Sequence, residues 1–333
     1  MIEEKMSVSF IIPVYNSEKT IEEIILSIIS LYCEKYRVEI ILVNDNSKDA
    51  SEEICRKVAE KEERVILINL SKNFGQHNAL LTGMRYASGD IVICLDDDMQ
   101  NPPEDIEFLI NKLKTGYDVI YGNYIEHRES LARRVGSAVN SIMATALIGK
   151  PRNIEITSFF AMKKFIIKEV IKYKGPYPYL PGLIFRATSK IGSVTVTHRV
   201  RKSGKTNYNM EKLISLWMNG FTNYSVKPLR FASLTGVITS LCGFIYFTVI
   251  IIKKLLNPMV PLGWTSVMAV ILFLGGIQLL TIGLIGEYIG RMFLSVNEKP
   301  QSVIKEIIRK KVKEQKRIFL LISRLLLAGK LNI

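Results

Sequence analysis

The amino-acid sequence predicts an α/β protein with a mainly parallel sheet, followed by a two-helix transmembrane hairpin. From residue 7 to about 122, short β-branched runs alternate with segments of helical spacing. Two long apolar stretches and a basic C-terminal segment follow. We therefore expect four regions: a globular cytosolic domain at 1–209, an amphipathic interfacial helix at 210–228, the hairpin at 229–290, and a basic amphipathic tail at 291–333.

The globular region contains five β-branched runs that predict strands and four segments that predict helices. The predicted strands are 8–12, 38–43, 65–69, 91–95 and 119–121, and the predicted helices are 18–31, 50–62, 76–87 and 104–114. Less regular sequence follows, with a helix at 131–148, strands at 157–162 and 193–200, and a Pro-rich turn at 175–181. In such a sheet, ligands bind at the carboxyl ends of the strands.

The hairpin is predicted from two apolar stretches at 229–252 and 263–289. Arg230 is the only charged residue of the first stretch and Glu287 the only one of the second. A helix of this length extends about 36 Å, at 1.5 Å per residue, which is enough to span a bilayer with some tilt. Basic residues are more numerous on the two flanks than in the connecting loop, so we expect both termini to be cytosolic at the cell membrane.

The charge of the chain is concentrated at its C-terminal end. The formal charge is +14, and residues 291–333 carry 11 Lys or Arg against three Glu. Basic residues beside apolar segments favour anionic membrane lipid as a partner, although a solvated helix or an oligomer contact is an alternative for this tail. No nucleic-acid-binding signature accompanies the charge, and four cysteines without a CxxC pair predict neither a zinc site nor a disulfide framework.

Three consecutive carboxylates, Asp96, Asp97 and Asp98, follow the predicted strand at 91–95. Such a cluster repels itself unless a cation neutralises it, and oxygen ligands suit Mg²⁺ or Mn²⁺, which also bridge phosphates. The alternative is an acidic turn that caps the following helix. The cluster therefore predicts a divalent-cation site at this turn.

Several motifs in this region resemble those of family 2 glycosyltransferases of the GT-A fold. They are IPVYN at 12–16, VNDNS at 43–47, NFGQHNAL at 73–80, ASGD at 87–90 and LDDDMQNPP at 95–103. Within that family the chain is similar to the polyprenyl-phosphate glycosyltransferases, which include dolichol-phosphate mannose synthase and bacterial undecaprenyl-phosphate glucosyltransferases. The resemblance implies an inverting enzyme that moves one sugar from a nucleoside diphosphate sugar to a polyprenyl phosphate, and a possible homotetramer.

The resemblance also implies roles for individual residues. Asp96 and Asp98 would hold the metal, with Gln100 completing its shell, while Asp97 would be a spacer or take part in nucleotide binding. Asp45 would accept a hydrogen bond from the nucleotide base, or it could cap a helix. Tyr15 would frame the nucleotide, or it could simply pack, and the 73–90 segment would be either a donor loop or purely structural. The implied nucleotide-sugar site comprises Pro13, Tyr15, Asn16, Asp45, Asn73, Gly75, Asp96, Asp97, Arg201 and Lys205.

The acceptor phosphate would bind to Arg128, Arg133, Arg134 and Ser137, because guanidinium groups pair well with phosphate oxygens. Solvated surface arginines are the alternative reading. The implied catalytic residues are Asp96, Asp98, Arg128 and Arg134.

The sequence departs from the family at ITSFF, residues 156–160, where many relatives carry an acidic residue. This leaves a protein general base unassigned. A phosphate monoester with a second pKa of about 6 is already mostly dianionic at neutral pH, so the acceptor needs positioning more than deprotonation.

Two alternative functions and the identity of the sugar remain to be considered at the level of sequence. A processive polysaccharide synthase would carry a QxxRW motif and more spans, and neither is present. A non-catalytic nucleotide-binding scaffold would have no reason to retain three crowded carboxylates. The sugar is unassigned: UDP-glucose is the first choice by analogy, with a UDP-N-acetylhexosamine, a modified UDP-pentose and GDP-mannose as alternatives.

Overall fold

The computed structural model describes residues 5–124, 145, 154–175, 178–197, 199, 227–256, 263–296 and 300–310. An eight-stranded sheet forms the centre of the globular domain, in the order β7-β5-β6-β4-β1-β2-β3-β8. Its strands are β1 (Ser7–Val14), β2 (Arg37–Asn44), β3 (Val65–Leu70), β4 (Ile91–Cys94), β5 (Val119–Tyr124), β6 (Phe160–Lys163), β7 (Ile191–Val196) and β8 (Ile304–Arg309).

Six of these strands run in the same direction. β4, β1, β2 and β3 pair in parallel, and so do β5 and β7, whereas β6 is antiparallel to β4 and β5. β8 is antiparallel to β3 at the edge of the sheet. This arrangement confirms the predicted mainly parallel α/β fold. It also places the carboxyl ends of β1, β2 and β4 side by side, since Val14 pairs with Asn44 and Ile11 with Cys94.

Helices cover both faces of the sheet. The described helices are α1 (Ile21–Tyr32), α2 (Ser51–Lys61), α3 (Gln76–Met84), α4 (Ile106–Lys114), α5 (Lys164–Val170), α6 (Leu180–Ala187), α7 (Lys227–Leu256) and α8 (Trp264–Val296). Phe10 and Ile12 of β1 face the core beneath α1, α2 and α4, and Ile11 faces the core beneath α3, α5 and α6. Because both faces are buried, β1 is apolar along almost its whole length.

The predicted strands and helices of the first 122 residues are confirmed, with boundaries that shift by up to three residues. Two short helices were not predicted. α5 has only seven residues, and α6 begins inside the predicted Pro-rich turn, with Pro181 in its first turn. Leu180, Leu183 and Ile184 bury the inner face of α6. Tertiary packing therefore stabilises a helix in a segment whose local sequence predicted only a turn.

Two long helices, α7 and α8, occupy the region of the predicted hairpin. The segment Phe273–Gly290 of α8 is long and apolar enough to cross a membrane, and α7 contains a shorter apolar stretch, Ala232–Tyr246. Large apolar side chains on both helices are exposed, among them Phe244 at 69% and Leu279 at 72%. Contiguous apolar surface of this kind is typical of a lipid-facing or partner-facing segment.

The predicted surface tail is wrong where the structure describes it. α8 continues to Val296, and residues 304–309 form strand β8 within the sheet instead of lying on a membrane. Alternate side chains of β8 are partly buried, with Ile308 packed against the core, while Lys305 and Arg309 point outward. Charged side chains on an edge strand discourage pairing with another chain.

Several predictions lie outside the described residues. These are the helix at 131–148 except residue 145, residues 210–226 of the interfacial helix predicted at 210–228, the tail from 311 onward, the acceptor residues Arg128, Arg133, Arg134 and Ser137, and the loop residues Arg201 and Lys205.

Gly83 is required for close packing of α3 on the sheet. A Cβ atom at this position would lie 2.6 Å from Cγ2 of Ile11 and 3.1 Å from Cγ2 of Val43. We predict that Gly83→Ala lowers the free energy of unfolding by about 1–3 kcal/mol, because α3 must move away from β1 and β2. Thermal unfolding of the detergent-solubilised protein measures this loss.

The matched control is Gly236→Ala in α7, where nothing lies within 4 Å of the added Cβ. A Gly83→Ala protein that unfolds at the wild-type temperature would contradict the packing argument.

Candidate active site

Three loops meet at the carboxyl edge of the sheet, after β1, β2 and β4. Each contains one residue with positive φ that is not glycine: Asn16 at 56°, Asn46 at 59° and Met99 at 61°. In the part of the chain that the structure describes, these are the only such residues. Left-handed backbone is unfavourable for residues with a Cβ, least so for Asn, and it concentrates at functional sites.

Asp97 holds the β4 loop against the β1 loop. Its carboxylate accepts hydrogen bonds from the backbone N–H of Tyr15, at 2.8 Å, and from the hydroxyl of Ser17. Burial raises the pKa of Asp97 to about 6, although the bonds from Ser17 and Tyr15 oppose this increase. Asp97 therefore links the β4 loop to the β1 loop through hydrogen bonds and is more than a spacer.

The β1 and β2 loops are joined directly by further hydrogen bonds. The backbone N–H of Asn16 donates to the Ser47 hydroxyl at 3.1 Å, and Oδ1 of Asn16 accepts from the N–H of Lys48 at 2.7 Å. The N–H of Ser17 donates to the hydroxyl of Ser51 at 2.7 Å. These bonds fix the relative position of two loops that would otherwise be connected only through their strands.

Asp45 is buried and binds the loop that precedes α3. One carboxylate oxygen accepts from the N–H of Phe74 at 2.7 Å, and the other accepts from the N–H of Gly75 at 2.8 Å. Burial raises the pKa of Asp45, and these two bonds oppose the rise. Gly75 has φ of +88°, a conformation that favours glycine. Each carboxylate oxygen has two acceptor positions, so this arrangement leaves acceptor capacity for a ligand.

Asp96 is oriented by residues from two different segments. Nε2 of Gln76, the first residue of α3, donates to Oδ1 of Asp96 at 2.7 Å, and the Ser158 hydroxyl donates to Oδ2. Ser158 lies just before β6, whose antiparallel direction brings its start to the same edge as the end of β4. The segment that replaces the acidic residue of many relatives thus contributes a hydroxyl to the site.

The end of the triple-aspartate loop is bound to the chain that leaves β7. Asp98 accepts a hydrogen bond from the N–H of Gln100 at 3.1 Å, and the carbonyl of Gln100 accepts one from the N–H of Arg199 at 2.9 Å. The N–H of Thr197 donates to Asp105 at 2.6 Å. Arg199 therefore lies beside the loop that contains the predicted metal site.

The side chains at this edge suit a cation that arrives together with a phosphate ligand. No cluster of three or more His, Cys, Asp or Glu residues capable of holding a metal is found within the described ranges. Asp97 is turned toward the β1 loop, which leaves Asp96 and Asp98 as the two carboxylates of the predicted site. Mg²⁺ commonly binds one or two carboxylates and completes its shell with water and substrate phosphate.

Sequence reasoning did not identify Gln76, Ser158 and Ser17 as parts of this site. Gln76 falls within the NFGQHNAL motif, so its position was a usable signal. Ser158 and Ser17 carry no such signal, because their roles depend on contacts across 62 and 80 residues. Of the other predicted residues, Tyr15 and Asn73 are exposed near the loops and Pro13 is buried in β1.

His77 lies in a packed environment that favours its uncharged form. Burial lowers its pKa to about 4, and its ring lies edge-on to Tyr179 with the ring centroids 5.8 Å apart. A neutral imidazole in this position does not bind phosphate through charge.

The family model described as "Glycosyl transferase family 2" matches residues 9–171, which contain all three loops. The chain belongs to glycosyltransferase family 2. A second model, described as "GtrB C-terminal hairpin", matches residues 227–292 and covers α7 and most of α8. The predicted GT-A glycosyltransferase fold and the hairpin region are confirmed, and the chain is a glycosyltransferase.

Curated relatives of this family 2 glycosyltransferase match it along nearly its whole length. The uncharacterized glycosyltransferase YkcC of Bacillus subtilis is 33% identical over 90% of this chain and 93% of its own. The undecaprenyl-phosphate 4-deoxy-4-formamido-L-arabinose transferase of Edwardsiella ictaluri is 32% identical over 91% and 94%. The Yersinia enterocolitica protein of the same name is 33% identical over 92% and 95%.

Solved structures of more distant proteins also match part of this chain. Glucosyl-3-phosphoglycerate synthase from Mycobacterium tuberculosis, in complex with Mn²⁺ and UDP-glucose, has a TM-score of 0.49 and 20% identity, over 65% of this chain and 79% of that one.

The different roles of Asp97 and Asp98 can be separated by substitution. We predict that Asp97→Ala lowers the free energy of unfolding by about 1–3 kcal/mol, because the Tyr15 N–H and the Ser17 hydroxyl lose their acceptor. Asp98→Ala leaves the bonds from Tyr15 and Ser17 in place and should destabilise the enzyme less. Chemical unfolding without metal measures both values.

In nucleotide binding with Mn²⁺, the larger loss should instead be that of Asp98→Ala. Asp98→Ala should abolish the stimulation of nucleotide binding by Mn²⁺, as measured by isothermal titration calorimetry. If Asp98→Ala were the less stable protein and still responded to Mn²⁺, the assignment of the two aspartates would be reversed.

Proposed function

We propose that this glycosyltransferase moves one sugar from a nucleoside diphosphate sugar to a polyprenyl phosphate at the cytosolic face of the cell membrane, with inversion at the anomeric carbon. One observation carries the proposal: the β1, β2 and β4 loops join Asp45, Asp96 and Asp98 at one edge of a domain that also bears an apolar helical hairpin. Two of the curated relatives reported above are named undecaprenyl-phosphate 4-deoxy-4-formamido-L-arabinose transferases, and these names support the acceptor class.

The nucleotide would bind between the β1 and β2 loops. Asp45 has remaining acceptor capacity for the base, and Tyr15, at 37% exposure, offers an aromatic surface beside it. Two backbone N–H groups already hold the Asp45 carboxylate in place. Preorganised acceptors of this kind lower the entropy lost when a ligand binds.

Asp96, Asp98 and Gln100 would hold Mg²⁺ or Mn²⁺ together with the diphosphate. A bound cation would supply charge neutralisation that makes the nucleoside diphosphate a better leaving group. Gln76 and Ser158 fix the orientation of the Asp96 carboxylate before any ligand arrives. Substituting either residue would therefore act on the site without removing a ligand.

The acceptor would provide its own nucleophile. A phosphate oxygen attacks the anomeric carbon in line with the departing diphosphate, so one bond forms as the other breaks and the configuration inverts. A phosphate monoester is mostly dianionic at neutral pH, so a protein base is not needed to remove a proton. Arg128 and Arg134, together with Arg133 and Ser137, would hold this phosphate beside the donor.

The hairpin would keep the enzyme at the lipid acceptor. The exposed apolar surfaces of α7 and α8 suit the interior of a bilayer, and two crossings would return the chain to the side on which it started. The excess of basic residues on the hairpin flanks favours the cytosol for both termini. Nucleotide sugars and the acceptor phosphate would then meet at the same membrane face.

Two donors deserve direct comparison. UDP-glucose is the choice by analogy with other two-span enzymes, and UDP-4-deoxy-4-formamido-L-arabinose is indicated by the names of the relatives. The donor panel comprises these two UDP-sugars together with UDP-N-acetylglucosamine and GDP-mannose. We expect one of the UDP-sugars to label undecaprenyl phosphate in a metal-dependent reaction. EDTA should abolish transfer, and excess Mg²⁺ or Mn²⁺ should restore it.

The product of that reaction tests the mechanism. NMR of the glycolipid should show the anomeric configuration opposite to that of the donor, and retention would exclude a single displacement. Nucleotide binding without transfer from any donor would instead favour a non-catalytic scaffold.

The acceptor site is tested by Arg134→Ala and Arg134→Lys. We predict that Arg134→Ala raises the KM for undecaprenyl phosphate by roughly 10-fold or more, because a charge-assisted phosphate contact is lost. Lys retains the charge without the paired geometry and should recover only part of the affinity. The KM for the donor should remain unchanged, and an increase in the donor KM alone would place Arg134 outside the acceptor site.

A further inference from the structure

The segment that follows the hairpin is bound to the glycosyltransferase domain at several points. Gln301 is buried, and its amide donates to the carbonyls of Tyr173 at 3.0 Å and Gly175 at 2.7 Å. The Ser302 hydroxyl shares a 2.7 Å hydrogen bond with Thr82 of α3. β8 then pairs with β3 from Ile304 onward. The chain thus returns from the hairpin directly into the sheet that carries the active site.

Glu306 is the centre of a polar network on β8. It pairs with Arg56 of α2, and its Oε1 accepts a hydrogen bond from Nδ2 of Asn69 on β3 at 2.9 Å. Glu52 of α2 also contacts Arg56, at 3.0 Å, and Asn69, at 3.2 Å. The bonds from Arg56 and Asn69 hold the pKa of Glu306 below its ordinary value. Glu306 therefore joins β8 to both β3 and α2.

The network continues from Asn69 into the nucleotide-binding edge. Oδ1 of Asn69, which is buried, accepts from Nδ2 of buried Asn44 at 2.9 Å. Oδ1 of Asn44 accepts from the N–H of Ser47 at 3.0 Å, and Ser47 accepts from the N–H of Asn16. A series of hydrogen bonds thus runs from Glu306 to the β1 and β2 loops, and its last two bonds are donated by the backbone N–H groups of Ser47 and Asn16.

We propose that Glu306 is a positioning residue for donor binding, and that the docked strand Ile304–Arg309 fixes the β2 loop through Asn69 and Asn44. The inference rests on the proposed function for the identity of its ligand, a nucleoside diphosphate. Seven residues separate the end of α8 from β8, so the membrane anchor and the nucleotide site are joined through this strand. Displacement of β8 would loosen the side of the site that receives the nucleotide.

The experiment compares variants of the full-length protein in detergent by titration with UDP in the presence of MnCl₂, with GDP in parallel. Glu306→Ala should weaken UDP binding by roughly 3- to 10-fold, the range expected for loss of coupling within a hydrogen-bonded network. Glu306→Gln retains Oε1, the atom that accepts from Asn69, and should bind UDP within about 2-fold of wild type. Lys305→Ala is the matched control, because Lys305 lies exposed on the same strand.

Transmission through Asn69 is tested by a double-mutant cycle. Asn69→Ala should weaken UDP binding to the same extent as Glu306→Ala, and the double variant should bind no more weakly than Asn69→Ala alone. In a transfer assay the loss should appear in the donor KM, with kcat nearly unchanged. A purely structural role would change the unfolding temperature without this pattern.

Several results would overturn the proposal. They are a folded Glu306→Ala protein that binds UDP like wild type, a Glu306→Gln protein that loses as much affinity as Glu306→Ala, or an additive double variant. If Glu306→Ala cannot be purified folded, Asn69→Ala decides, and wild-type affinity there overturns the inference. Absence of sugar transfer with nucleotide binding retained would overturn only the proposed function, since the comparison of UDP affinities needs no acceptor.

Discussion

Parallel pairing of β4, β1 and β2 is the constraint on which the active site depends. It brings the carboxyl ends of three adjacent strands to one edge of the sheet. The loops that follow these strands must provide hydrogen-bond partners for many backbone N–H and C=O groups in a small space. Asp97 accepts a hydrogen bond from a backbone N–H of the β1 loop. The N–H of Asn16 donates to the Ser47 hydroxyl and so joins the β1 loop to the β2 loop. Once those bonds are made, Asp45, Asp96 and Asp98 are held on a scaffold that does not need a ligand to define it.

The sheet could be predicted from sequence because it follows from local patterns, and the candidate site at its carboxyl edge was proposed from the same patterns. β-Branched runs identify strands, and polar residues directly after them identify the ligand-binding edge. The different hydrogen-bond partners of Asp96, Asp97 and Asp98 could not be predicted, because three adjacent carboxylates are equivalent in the sequence pattern. Ser17 and Ser158 supply those partners from 80 and 62 residues away, a separation at which spacing carries no information.

The C-terminal strand shows a second limit of local reasoning. Ile304, Glu306 and Ile308 alternate with Lys305 and Arg309, a pattern that also suits a charged surface segment beside a membrane. What selects the strand is the open edge of β3 together with hydrogen-bond donors to Glu306 on α2 and β3, none of which is visible in the segment itself. The acceptor arginines remain predictions from the resemblance, since they lie outside the described residues.

The position of β8 also governs how this domain could be separated from its membrane anchor. Removing everything beyond residue 226 would strip β8 from β3 and expose a row of unpaired N–H and C=O groups, which invites edge-to-edge aggregation. Excising only the two helices and rejoining the chain ahead of residue 300 would keep that edge closed and retain the Gln301 anchor. A soluble enzyme for biochemical work is therefore better sought by internal deletion than by truncation.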